Sequence, residues 1–244
     1  MLGAKRKPAR DPAEKPFWIS FSDLMTALMV LFLVAMAVAL MAVTQGLQRL
    51  EAEKKAREES ISACLAEVGA VTAQPAYQGL RLRGNAIEFG ALAEFERRGH
   101  ELGGDRPASL RRFVPRLLSV TRGAACRPWL KRVVVEGFAS AEGSYLFNLN
   151  LSLQRSQRVL CVLLDSGGEE ALAEADRKYL RKLFLVGGSS FNALKRKAEE
   201  SRRVELRLEF RELHELQEAA PEIPWDEDSS CPLDHAAGGG RAKR

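Results

Sequence analysis

From Leu24 to Val43 the chain is apolar at every position but Thr26, and Asp23 stands at the entrance to that run. About twenty residues at roughly 1.5 Å of rise cover the roughly 30 Å hydrocarbon core of a bilayer, so the pattern predicts a transmembrane helix over 17–43. The series from Arg49 to Glu59 then mixes acids and bases at three- and four-residue spacing, the mark of a solvated helix. Leu47, Leu50, Ile61, Leu65 and Val68 lay a thin apolar stripe along it. That stripe leaves two uses open, pairing with a second copy or docking on the domain that follows.

Gln74-Pro75-Ala76 breaks the helix, and the period changes. Gly79–Arg83 and Ala86–Phe89 alternate around Gly84-Asn85, which predicts two antiparallel strands. Loop signals continue to Gly103-Gly104. Pro107 opens a helix with Leu110, Phe113, Leu117 and Leu118 on one face, and Pro115 is expected to bend or restart it. Leu130–Glu136 reads as a buried strand that stops at Gly137. A helix is predicted from Phe147 or Leu149 to Gly167-Gly168, a second over about 170–180, and strands at Leu183–Val186 and Arg203–Phe210. The fold class is therefore α/β, with helices packed on one face of a mixed β-sheet over 72–212. Segments 1–16 and 213–244 lack apolar period and read as tails, and 44–71 reads as a helical linker.

At 244 residues, one membrane anchor plus one domain accounts for the chain. The net charge of +5 comes from bases interleaved with acids, not gathered into a stripe, so nucleic acid is not an expected partner. A secretory signal also begins with bases and an apolar run, but its apolar region spans about 7–15 residues, shorter than this one. Lys5, Arg6, Lys7, Arg10 and Lys15 precede the helix, whereas Thr44–Arg49 carries one base, which puts the amino terminus in the cytoplasm and the domain in the periplasm. That compartment permits disulfides among Cys64, Cys126, Cys161 and Cys231. Cys64 with Cys126 is the expected pair, and Cys161, inside an apolar run, is expected as a buried thiol.

Asp23 is the chemistry the pattern singles out. A charged side chain in a spanning helix costs about 2.5–3.5 kcal/mol near the centre and less toward the edge, so it is held against protein, and poor solvation favours its neutral form. Such an acid can load and release a proton or sodium ion, with the Ser22 and Thr26 hydroxyls beside its path. The plainer alternative is an interfacial Asp that snorkels outward near a helix start capped by Ser20 or Ser22. No enzyme signature is present. His100, His214 and His235 are scattered, the cysteines lack metal-site spacing, and Gly187-Gly188-Ser189-Ser190 has no Lys at the phosphate-loop position. Neither cofactor nor metal is expected.

Two stretches resemble known families. Phe21–Leu33 resembles the Asp-bearing helix of MotB-type ion-driven stator subunits. Val133–Val159 with Ser201–Leu208 resembles the OmpA-like peptidoglycan-binding domain, through Gly137, Asn148, Leu151-Ser152 and Arg155. The run Pro16–Thr26 looks most like the single-helix ZorB type of the Zorya anti-phage defence system. That resemblance implies a homodimer inside a pentamer of a multi-pass ZorA-like membrane subunit, with ion flow past Asp23 turning the pentamer. It also implies peptidoglycan binding by Phe147, Asn148, Leu151 and Arg155, where the arginine fork meets a peptide carboxylate. The family's usual Asp, three residues after the glycine, is here Ser140, and Glu142 is a candidate substitute at a different loop position. Structural alternatives are a surface arginine for Arg155 and a helix cap for Asn148. A flagellar stator subunit and a passive peptidoglycan tether are the competing functions. A tether tolerates Asn or Leu at Asp23, whereas an ion carrier does not.

Overall fold

The computed structural model describes residues 14–167, 170–215 and 230–236. Residues 1–13 of the expected amino-terminal tail, and 216–229 and 237–244 of the carboxy-terminal one, lie outside the described residues. The chain forms two compact units, Met1–Lys55 and Ala56–Arg244.

Helix α1 spans Glu14–Thr72 and supplies the first unit. It is long and apolar enough to cross a membrane, and it is 0% buried over its apolar window. Removing one Val, Leu or Phe side chain from water is worth about 1.5–3 kcal/mol, so this bare apolar length is suited to lipid or to another protein.

In the second unit, the end of α1 docks: Cys64 and Val68 are fully buried. Ser60 donates to the Ala125 carbonyl at 2.8 Å, and Cys64 forms a disulfide with Cys126. Leu47 and Leu50, nearer the apolar run on the same stripe, stay exposed. Docking thus accounts for the carboxy-terminal half of the stripe, and the unit begins at Ala56, inside the expected linker.

After a short 3-10 turn at Pro75–Tyr77, the elements are β1 (Arg81–Arg83), β2 (Ala86–Glu88), α2 (Arg106–Thr121), β3 (Leu130–Gly137), α3 (Tyr145–Leu164), α4 (Glu174–Leu183), β4 (Phe184–Gly188), α5 (Ala198–Ser201), β5 (Val204–Phe210) and α6 (Pro232–Ala236). The sheet order is β1-β2-β5-β3-β4. The β3–β4 pair is parallel and is joined through α3 and α4, while the other pairs are antiparallel. Val133 and Val135 of β3 and Val204, Leu206 and Leu208 of β5 face the core, which also takes Leu110, Phe113, Val114, Leu117 and Leu118 from α2. The intervening positions carry ion pairs on the other face, Glu136 with Arg207 and Arg132 with Glu209. Strand alternation thus reads out directly as one core face and one polar face.

Several elements depart from expectation. Helix α2 continues through Pro115 instead of restarting there. Helix α3 begins at Tyr145, capped by Ser144, whose hydroxyl accepts the Phe147 N–H at 3.3 Å. Asn148 is therefore not the cap. At its other end α3 stops at Leu164, and Gly168, expected to help end it, lies outside the described residues. Helix α4 starts later than the predicted 170–180. Cys161 is not a free thiol but is joined to Cys231 in a disulfide that holds α6, a piece of the expected unstructured tail, on α3. Leu233 is buried there, and Asp234 accepts from Arg158 at 2.7 Å.

Candidate functional site

On α1, Asp23 shares a face with Thr26, Ala27, Val30, Leu31 and Val34. The Thr26 hydroxyl donates to the carbonyls of Ser22 at 3.0 Å and Asp23 at 2.9 Å. Its hydrogen is therefore engaged by the helix, leaving oxygen lone pairs to face outward. Ser22 and Asp23 are exposed, and among the described residues no ion pair joins the Asp23 carboxylate. Among the described residues, nothing covers this carboxylate or the apolar side chains beside it.

In the second unit the predicted residues converge where β3 and β4 end and α3 begins. Two glycines make this junction. Gly137 lets α3 lie directly on the strand end, and Gly143, at φ +110°, is followed so closely by Phe147 that a Cβ would meet its ring at 3.1 Å. Ser152 and Ser156 bind the helix to the neighbouring strand: Ser152 Oγ accepts the Ser190 N–H at 3.1 Å, and Ser156 Oγ donates to the Gly187 carbonyl at 2.6 Å. Ser190, also buried, donates to the Tyr145 carbonyl.

Of the five expected ligand residues, four are turned inward. Arg155 is 0% exposed, Asn148 1%, Leu151 6% and Ser140 7%, whereas Phe147 is 43% exposed. Asn148 Nδ2 lies 3.2 Å from each of the Glu142 and Ser144 carbonyls and so shapes the β3–α3 loop from within. Glu142 is engaged by Arg97 at 2.5 Å.

Arg155 is neither a surface arginine nor an open fork. Its Nε donates to the Gly99 carbonyl at 2.9 Å, Nη1 to Phe138 at 2.8 Å and Nη2 to Glu96 at 3.1 Å, with the Phe95 ring 5.2 Å away. Burial, aided by the nearby Arg202, pushes the guanidinium down to about 10, so it stays charged at neutral pH. Enclosing a charge costs several kcal/mol, and hydrogen bonds to charged groups return about 1.5–3 kcal/mol each, which is why it takes three carbonyls to hold this one. Arg202 donates to the Phe95 carbonyl, and Arg203 lies 4.1 Å from the Phe138 ring and pairs with Glu205 at 2.6 Å. These contacts clamp 95–99 against the β3–α3 loop.

Sequence reasoning missed 96–99 as part of this junction. Arg98 has φ 59°, and its guanidinium lies 5.8 Å from the Phe147 ring. No local pattern marks the pair, since the two residues are brought together only by the fold. Among the described residues no group of His, Cys, Asp and Glu is arranged to hold a metal ion.

Comparison with known proteins places these features in context. Residues 4–48 match a family model described as the membrane MotB of the proton-channel complex MotA/MotB. The chain is 42% identical over 226 residues to the Zorya protein ZorB of Escherichia coli O139:H28, spanning 91% of each sequence. Among solved structures, the OmpA-like domain of FopA1 from Francisella tularensis aligns over 55% of this chain and 82% of that one, with 17% identity and a TM-score of 0.33. The peptidoglycan-associated lipoprotein of Burkholderia pseudomallei aligns over 49% and 88%, at 13% identity and a TM-score of 0.32. A protein described as MotB-like from Desulfovibrio vulgaris aligns over 64% and 96%, at 20% identity and a TM-score of 0.35. Superpositions this loose carry no functional inference.

Proposed function

The chain belongs to the ZorB family, and on that premise we propose that it is the ion-carrying, wall-anchored subunit of an anti-phage membrane motor. Membership in that family supports a stator-type membrane subunit that crosses the bilayer once. Ion carriage is supported by one observation: a lone carboxylate, with the Thr26 hydroxyl beside it, on an uncovered helix face that is apolar at Ala27, Val30, Leu31 and Val34.

In this reading Asp23 alternates between charged and neutral forms as it meets water-accessible and occluded surfaces of a multi-pass ZorA-like partner, five copies of which surround a dimer of this chain. One charge crossing 100 mV releases about 2.3 kcal/mol, comparable to the cost of holding an ionised acid in the bilayer, so loading and unloading can be coupled to movement. The amino terminus is cytoplasmic. The domain lies in the periplasm, where it grips peptidoglycan through the α3 junction and keeps the dimer still while the partner turns. Two disulfides support that placement.

The test is phage plating efficiency on cells carrying the native operon, with wild type and Asp23→Asn at matched membrane expression. Asn keeps size and polarity but carries no proton. Loss of protection is the expected result. Unchanged protection overturns the ion-carrier reading and leaves a passive tether.

A further inference from the structure

We propose that the Cys161–Cys231 bridge is a redox-sensitive latch: a dithiol that reduces it releases α6 from α3 and loosens the 99–101 loop beside the α3 junction. The consequence for wall retention rests on the wall-binding reading above, whereas the latch stands apart from it. The two disulfides differ in their surroundings. Cys64 and Cys126 are 0% exposed within the core, but Cys161 and Cys231 are both partly open to solvent. Exchange needs an attacking thiolate to reach a sulfur, so accessible bridges are the labile ones. The thiolate forms a mixed disulfide with one cysteine, and the second thiol of the reductant displaces it. Two electrons and two protons end on Cys161 and Cys231, and the dithiol becomes a disulfide.

What the bridge holds is small. Helix α6 is five residues long, too short to persist by itself. Leu233 is buried, and Asp234 accepts from Arg158 Nη1 at 2.7 Å, but the Asp234 side chain is largely exposed and an ion pair of that kind adds little. The covalent bond therefore supplies most of the effective concentration that keeps α6 in place.

Arg158 carries the effect to the loop. It lies about one turn beyond Arg155 on α3. Its Nη2 donates to Glu101 at 2.6 Å while Arg155 Nε donates to the Gly99 carbonyl, so the two arginines grip alternate residues of one loop. The Arg158 side chain is 10% exposed and its Nε has no hydrogen-bond partner, which leaves its charge resting on Glu101 and Asp234. When α6 leaves, Asp234 goes with it and water reaches the guanidinium. The remaining pair with Glu101 is then an exposed one, and it holds the loop weakly.

The experiment treats the folded full-length chain in detergent with dithiothreitol, without denaturant, and maps thiols with a maleimide. Label should appear at Cys161 and Cys231 and be absent from Cys64 and Cys126. Label at all four, or at none, overturns the latch. Amide-exchange protection should fall over 230–236 and at 99–101, and unchanged protection at 99–101 overturns the coupling to the loop. Co-sedimentation with purified peptidoglycan sacculi should drop about threefold on reduction. Cys231→Ser should show the same drop without dithiol and no further response to it. Equal retention of oxidised and reduced chains overturns the link between latch and wall. If the oxidised wild type fails to sediment, the wall-binding reading falls instead, and the labelling pattern still decides the latch.

Discussion

A Cβ at Gly137 would lie 2.0 Å from the Ser152 carbonyl oxygen and 2.6 Å from Ser156 Oγ. The last residue of β3 and the middle of α3 are therefore in direct backbone contact, and that contact sets where α3 begins relative to the loop above it. Overpacking a site of this kind costs about 1–3 kcal/mol, and more when backbone must yield. Gly137→Ala is expected to lower the melting temperature of the domain by several degrees and to weaken sacculus binding in parallel, as α3 is pushed off the sheet. Calorimetry that finds the variant as stable as wild type contradicts the packing described.

The Cys64–Cys126 bridge spans a sequence separation of 62 and ties the end of α1 to the segment after α2. Chain-entropy reasoning gives about 4 kcal/mol for a loop of that length. Replacing both cysteines by Ser is expected to reduce stability on that order and to free the docked turns of α1 to proteolysis. Protein taken from membranes without reductant should also resist thiol-specific labelling until reduced. Four reactive thiols in that protein contradict both the bridges and the periplasmic placement of the domain.

Glu88 gives the domain a defined acid sensitivity. Burial opposes its ionised form, but the Lys195 ammonium at 2.7 Å, with Arg83 and Arg203 behind it, outweighs burial and holds the carboxyl below its usual value of 4.5. A depressed folded-state value means the pair contributes stability above the unfolded value and loses it as pH falls through the folded one. Lys195→Met is expected to cost about 1 kcal/mol at pH 7. That difference should vanish in denaturant titrations run well below pH 4, and a constant gap across the range assigns the loss to packing.

The local patterns carried most of the architecture. Alternation around Gly84-Asn85 marked β1 and β2, which pair Arg81 to Glu88 and Arg83 to Ala86. The Val133–Val135 run marked the central strand. What misled was local plausibility without tertiary context. Asn148 is a good cap by type, yet Ser144 begins the helix because the turn at Gly143 places its hydroxyl over the first N–H groups. Cys161 sits in an apolar run, yet its partner lies 70 positions away in a segment with no periodicity.

By itself the sequence determined the apolar helix, its single acid, its polarity of flanking charge, and the order of the strands and of the three longer helices of the domain. Each of these depends on residues close together in the chain, where rise per residue, side-chain period and turn chemistry are fixed by covalent geometry. Only the tertiary structure decided that the motif's arginine is enclosed by three carbonyls, that Arg98 stands beside Phe147, and that all four cysteines pair. Those facts come from segments 17 to 70 residues apart meeting in the folded domain, and whether a guanidinium faces water or backbone depends on what that meeting leaves uncovered.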